Sequence, residues 1–140
     1  MKAKDLMIGD WVNVVVKWKP EVRYMQGEVS ELLAEDGWLR VLQTYDPYED
    51  NPVYCICDTQ GIPLTPEILE NNGYKYRDWW YEQEGYPDIT NMFTDDMYAV
   101  GKHHYYGNGQ PEFNSIIKIQ YVHELQHALK LCGIEKEIEL

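Results

Sequence analysis

The sequence predicts an α+β protein: an N-terminal SH3-like small β-barrel over residues 1–62, then a small antiparallel-sheet unit with two short helices over residues 63–140. Three observations carry this. Short β-branched and aromatic runs, set off by Gly, Pro and Asp turn signals, follow one another through the first part of the chain. A helix start with a full set of capping residues sits at Thr65-Pro66-Glu67. The last long apolar pattern, Val122 to Cys132, has a helical period rather than a strand period.

Taken in order, Lys2 to Met7 is a leader that ends in the turn pair Gly9-Asp10, and Trp11 to Trp18 is a strand built on Val12, Val14, Val15 and Val16. Pro20 interrupts it. Arg23 to Leu33 is a second strand, with Gly27 where a bulge or sharp bend would sit. Glu35-Asp36-Gly37 supplies a hairpin turn into Trp38 to Thr44, a polar loop runs from Tyr45 to Pro52, and Val53 to Asp58 is a fourth strand. After Gly61-Ile62-Pro63-Leu64 the texture changes. Thr65 caps a short helix that starts on Pro66, turns Ile68 and Leu69 inward, and stops at Gly73. A Tyr/Trp-rich stretch then holds strands near Arg77 to Glu82, Asn91 to Thr94, Met97 to His103 and Phe113 to Tyr121. Gly85-Tyr86-Pro87, Asp95-Asp96 and Gly107-Asn108-Gly109 are the turns between them. Tyr121 to Leu131 is the closing helix, capped by Gly133, and the alternating tail Ile134 to Leu140 reads as an added edge strand.

Composition narrows the function classes. The 140 residues suffice for one ordinary domain or two very small ones, and hydrophobic and aromatic shares of 44% and 14% mark a folded chain despite a net charge of −12. Residues 1–30 carry five bases and four acids, so the rest of the chain holds −13 of that −12 total. Such a surface repels phosphate backbones, which argues against nucleic acid as a partner; it would attract a basic protein partner or serve to keep the protein soluble, and solubility is the reading favoured here. Three cysteines, Cys55, Cys57 and Cys132, form no paired framework, and Cys55 and Cys57 point to one face of a strand, where they cannot easily join. Free thiols, a charged amino terminus without an apolar core segment, and no apolar run of membrane length together imply a cytoplasmic protein.

One motif has the form of chemistry. His123-Glu124-Leu125-Gln126-His127 matches H-E-x-x-H, in which two imidazoles four apart on a helix share a zinc and the Glu activates its water. Zinc hydrolysis would therefore use His123 and His127 as ligands and Glu124 as base. Against this, only thirteen residues follow His127, so a third ligand would come from Glu135, Glu137 or Glu139 in the tail, or out of the usual order from His103 or His104. A helical wheel also sets both histidines opposite the Leu125/Leu129/Cys132 stripe, the pattern of a solvated face. The loop acids from Asp46 to Asp50 and Asp95-Asp96 lack the spacing of a calcium loop, and no phosphate-binding glycine motif is present. No catalytic residue and no cofactor is assigned.

Three stretches resemble a family of small uncharacterised proteins encoded by gut anaerobes and by their phages and mobile elements. They are Met1 to Val12 (with Ile8-Gly9-Asp10-Trp11-Val12), Ile62 to Leu69 with Gly73-Tyr74, and Ile119 to His127. Together they cover 31 of the 140 residues. The resemblance implies no activity. It does imply H-Q-L-Q-N at positions 123–127, from which Glu124 and His127 depart, and so a structural helix. The leading expectation is a non-enzymatic accessory or interaction protein whose adhesive surface is Trp79, Trp80, Tyr81, Tyr86, Tyr98, Tyr105 and Tyr106. The alternatives are an acidic DNA mimic that occupies the groove of a host nucleic-acid enzyme, and the zinc hydrolase.

Overall fold

A computed structural model describes residues 6–18, 21–33, 38–43, 53–55, 59–92, 96–107 and 109–140. The chain is a mixture of sheet and helix. Among the described residues it forms two five-stranded antiparallel sheets and two helices. It divides into two compact units, Met1–Ile62 and Pro63–Leu140.

The first unit holds β1 (Trp11–Trp18), β2 (Glu21–Leu33), β3 (Trp38–Gln43), β4 (Val53–Cys55) and β5 (Thr59–Gly61) in the order β4-β3-β2-β1-β5. The run Val12-Asn13-Val14 alternates as a half-buried strand must, with both valines fully buried and Asn13 less so. The Gly9-Asp10 turn is built as the residues suggest. Gly9 takes a positive φ of 92°, Asp10 N–H closes the turn on the Met7 carbonyl at 3.2 Å, and Met7 N–H donates to Asp10 Oδ2 at 2.6 Å.

Three features of this unit correct the sequence reading. The sheet is open: β4 pairs only with β3 and β5 only with β1, so both edges end in three-residue strands and no ladder closes a barrel among the described residues. The irregularity in β2 lies between Val29 and Glu31, whereas Gly27 pairs in regular register with Val12 and Gln43. A glycine between two paired strands costs only packing and entropy, and does not by itself displace the ladder. Of the expected fourth strand, Val53 to Asp58, the described residues Val53–Cys55 form β4, and β5 (Thr59–Gly61) is a further strand that pairs with β1. The turn at 35–37, the loop at 45–52, Cys57 and Asp95 lie outside the described residues, as do the side chains of the Cys55-Cys57 pair.

The second unit starts with α1 (Pro66–Asn71). Thr65 Oγ1 accepts the Ile68 N–H at 3.3 Å and Pro66 fills the first helical position, as its sequence requires. The helix ends in a Schellman motif: Tyr74 N–H reaches the Leu69 carbonyl and Gly73 N–H the Glu70 carbonyl, at 3.1 and 3.0 Å, with Gly73 at φ 92°. A meander follows, β6 (Lys75–Arg77), β7 (Trp80–Glu82), β8 (Asp88–Asn91), β9 (Tyr98–Tyr105) and β10 (Pro111–Ile119), in which each strand pairs with the one before it. Gly101 has no room for a side chain. A Cβ there would stand 2.0 Å from the Asn114 carbonyl oxygen and 3.0 Å from the Phe113 ring, beside the bulge that shifts register between Ser115 and Ile117.

The closing helix α2 (Val122–Leu131) ends in a second Schellman motif, with Ile134 N–H on the Leu129 carbonyl and Gly133 N–H on the Lys130 carbonyl, both at 2.9 Å. Ile89, Val100, Ile119, Val122, Leu125 and Leu129 are all buried, and each such side chain contributes about 1.5–3 kcal/mol of apolar burial. Tyr74, Trp80, Tyr81 and Tyr98 are also core residues. The tail is not the strand that its alternation suggests. Asn72 holds it instead, through a side-chain amide that mimics a strand partner: Nδ2 donates to the Glu139 carbonyl at 2.7 Å and Oδ1 accepts the Glu139 N–H at 2.9 Å. Ile138 is buried beside this clasp. No helix is long and apolar enough to cross a membrane among the described residues.

Candidate functional site

The H-E-x-x-H segment lies on α2 as expected, but its side chains do different work. Glu124 is the third residue of the helix, and its carboxylate folds back over the amino terminus, where Oε2 accepts the Gln120 N–H at 2.6 Å and the Tyr121 N–H at 3.0 Å. This is the glutamate half of a capping box: an acid at this position satisfies donors that a helix leaves open and opposes the positive end of its dipole.

His123 is not on a solvated face. It is 4% exposed, stacked on Tyr121 with ring centroids 5.7 Å apart, and Gln126 beside it is buried as well. His127 is half-buried, its ring edge-on to His123 at 5.9 Å. The wheel misplaced these residues because it weighs hydropathy alone, whereas α2 buries side chains around most of its circumference between Val122 and Leu129. Among the described residues no third His, Cys, Asp or Glu completes a metal-binding group with them. Cys132 is a free, exposed thiol at the helix C-cap.

The seven aromatic residues separate into two sets. Trp80, Tyr81 and Tyr98 are buried, so they belong to the core and not to a surface; they stand on β7 and β9, interior strands of the sheet. Tyr86 is half-buried, edge-on to Tyr74 at 6.0 Å. Trp79, Tyr105 and Tyr106 are exposed by 39%, 63% and 54%. Trp79 and Tyr105 both flank the buried Trp80, at 5.2 and 6.4 Å between centroids, so residues 26 apart in sequence share one patch. Trp79 is presented by the two-residue turn between β6 and β7, where Asp78 takes a positive φ of 55°. Arg77 bridges Glu82 at 3.1 Å across the same turn, and Trp80 Nε1–H donates to the other Glu82 oxygen at 3.3 Å.

Beneath the patch lies a pair that sequence reasoning missed. Asp88 begins β8, and its Oδ2 accepts both the backbone N–H of His103 at 2.9 Å and His103 Nδ1 at 3.1 Å. The carboxylate thus extends the β8–β9 ladder past its last backbone pair, Asp88 opposite Gly101. A carboxylate acceptor places the imidazole proton on Nδ1 and leaves Nε2 as the second ring nitrogen to be satisfied. That atom is buried with no hydrogen-bond partner. The His103 ring lies 4.0 Å over Trp80, nearly parallel, with Trp79 edge-on at 5.0 Å and Phe113 at 4.7 Å. An aspartate-oriented imidazole is the geometry of a general base, but here aromatic rings cover the nitrogen that would do the work. The pair acts as a polar clamp inside an aromatic cluster. No local signal joins Asp88 to His103 in the sequence, because only strand register brings them together.

No family model, curated protein or solved structure matches the chain.

Proposed function

We propose that this chain is a non-enzymatic interaction protein that engages a basic protein partner through the patch of Trp79, Tyr105 and Tyr106. The observation that carries the reading is the exposure of Trp79 and Tyr105 around a rigid base of Trp80, His103 and Phe113, with Tyr106 exposed next in sequence beside His104. Large aromatic side chains held on a rigid base lose little entropy on binding and supply most of the energy at protein interfaces. The acids of residues 63–140 outnumber the bases thirteen to six, which favours a partner of opposite charge. The origin of the protein in a phage or mobile element is proposed on the three matching sequence stretches alone.

We read the first unit as an SH3-like arrangement. What supports this is a four-strand meander whose fifth strand, β5, returns to pair with the first.

The test begins with affinity capture from host lysate by wild-type protein and by a Trp79→Ala/Tyr105→Ala variant, followed by purification of the captured protein and titration of each form. The double variant is expected to weaken binding at least about a hundredfold, the size of a two-residue hot spot. Equal affinity of both forms for the purified partner would refute the assignment of this surface.

A further inference from the structure

We infer that the seat of residues 136–139 at the end of α1 is a peptide-recognition site that the chain's own tail fills. An extended segment of a partner protein with the pattern Lys-x-Ile displaces the tail and takes its place. The occupant is read from the tail itself, which sits there as a ligand would. Among the described residues no strand pairs with residues 134–140. Ile134 N–H closes the end of α2, and beyond it the tail is held by side chains.

Three contacts make the seat selective. Asn72 reads backbone: Nδ2 donates to the Glu139 carbonyl at 2.7 Å and Oδ1 accepts the Glu139 N–H at 2.9 Å, a pair that any residue except proline offers. One residue earlier, Ile138 is 2% exposed, so this position is read as an apolar side chain. Two residues before that, Lys136 Nζ donates to the carbonyl of Asn72, the C-cap of α1, and stands 5.5 Å from the centre of the Tyr86 ring. Glu135, Glu137 and Glu139 are exposed, so their side chains are free to vary. Backbone bonds that hold the segment, with specificity from particular side chains, are the general mode of extended-peptide recognition.

Charge makes the tail a replaceable occupant. Residues 63–140 hold thirteen acids and six bases, and the tail adds three of those acids on its exposed side. A segment that keeps the lysine and isoleucine but lacks the glutamates meets the same contacts with less repulsion. The tether sets the scale of affinity. A short flexible linker holds its ligand at an effective concentration of roughly millimolar order, so a tail that stays closed binds with a dissociation constant below about 1 mM. A free segment of the same pattern therefore reaches the seat at that concentration once the tail is out of the way.

The experiment titrates the full chain with the acetylated and amidated peptide Ile-Glu-Lys-Glu-Ile-Glu-Leu, followed by backbone amide shifts in nuclear magnetic resonance. An Ile138→Asp chain, whose own tail has lost its anchor, is expected to bind the peptide saturably below about 1 mM. Wild type should bind it about tenfold or more weakly, because its tail competes. Glu139→Pro, which removes the N–H held by Asn72, serves as the tail variant if Ile138→Asp does not fold. A peptide with its three glutamates changed to glutamine should bind at least as tightly. Changing its lysine to glutamine, or methylating the amide nitrogen after its second isoleucine, should weaken binding about tenfold or more, as should Asn72→Ala in the tail variant. No variant touches Trp79 or Tyr105, so the outcome is separate from that of the aromatic patch. The proposal is overturned if the folded tail variant does not bind the peptide by about 5 mM, several times the tethered scale. It is equally overturned if wild type binds as well as the tail variant, or if the lysine, amide and Asn72 changes leave affinity intact. Sedimentation run alongside tests the other occupant: wild-type chains that pair, and stop pairing in Asn72→Ala, would assign the seat to a second copy and overturn the proposal.

Discussion

Replacing Glu124 by Ala separates the two meanings of the H-E-x-x-H segment. In the structure the carboxylate holds two backbone N–H groups at the start of α2, at 2.6 and 3.0 Å, and it is half-buried, so water partly replaces it when it is removed. Loss of a capping interaction costs about 0.5–2 kcal/mol, and loss of a negative charge from the first turn adds about 0.3–1 kcal/mol. We therefore expect about 2 kcal/mol for Glu124→Ala. For a chain of this size that is a fall in melting temperature of about 6 °C. Glu124→Gln keeps an acceptor without the charge and should lose about half as much. The assay is urea denaturation followed by far-ultraviolet circular dichroism, run with chelator and again with added zinc. A capping role predicts the same loss in both series. A loss below about 0.5 kcal/mol, the level of an ordinary surface change, or a loss seen only with zinc, would refute the capping account.

Two further predictions concern the second unit. Asn72→Ala removes both bonds to the Glu139 backbone and a third to the Ile68 carbonyl at 2.7 Å, so it should cost about 2–3 kcal/mol and free the tail. Hydrogen exchange checks this: the Glu139 amide should exchange far faster in the variant, and equal protection would show that Asn72 does not hold the tail. Burial pushes the Tyr74 hydroxyl well above its ordinary value of 10, with Tyr86, Asp88 and Cys132 adding to the effect, so in the unfolded chain it ionises first. Its contribution to stability is complete below pH 10 and is lost as the pH rises from there toward the folded value. Tyr74→Phe should thus reduce the slope of stability against pH above 10 by about 1.4 kcal/mol per pH unit, measured by denaturant titration at a series of alkaline pH values. An unchanged slope would show that Tyr74 ionises freely in the folded protein.

Local chemistry was the legible part of this chain. Thr65-Pro66 and Gly73 bound α1, and Gly133 ends α2, because a helix terminus is satisfied by residues within a few positions of itself. Gly9 and Gly85 mark turns for the same reason, since a positive φ is a property of one residue. The aromatic stretch was legible as a region but not residue by residue. Trp79 and Trp80 are adjacent and chemically identical, yet one is exposed and the other is core, and only the turn at Asp78 and the pairing of Trp80 with Thr90 decide between them.

The sequence by itself determined the mixture of sheet and helix, the helix caps and several turns, since each of these depends on contacts within a few residues. Tertiary structure decided the rest. Asp88 and His103 are fifteen residues apart and meet because two strands share a register; Asn72 and Glu139 are sixty-seven apart and meet because the tail folds back on α1. His123 and Gln126 are buried although their polarity favours water, and Glu124 is spent on a helix end although its spacing suits a metal site. In each case the outcome depends on which distant backbone arrives beside the side chain, and periodicity along the chain holds no record of that.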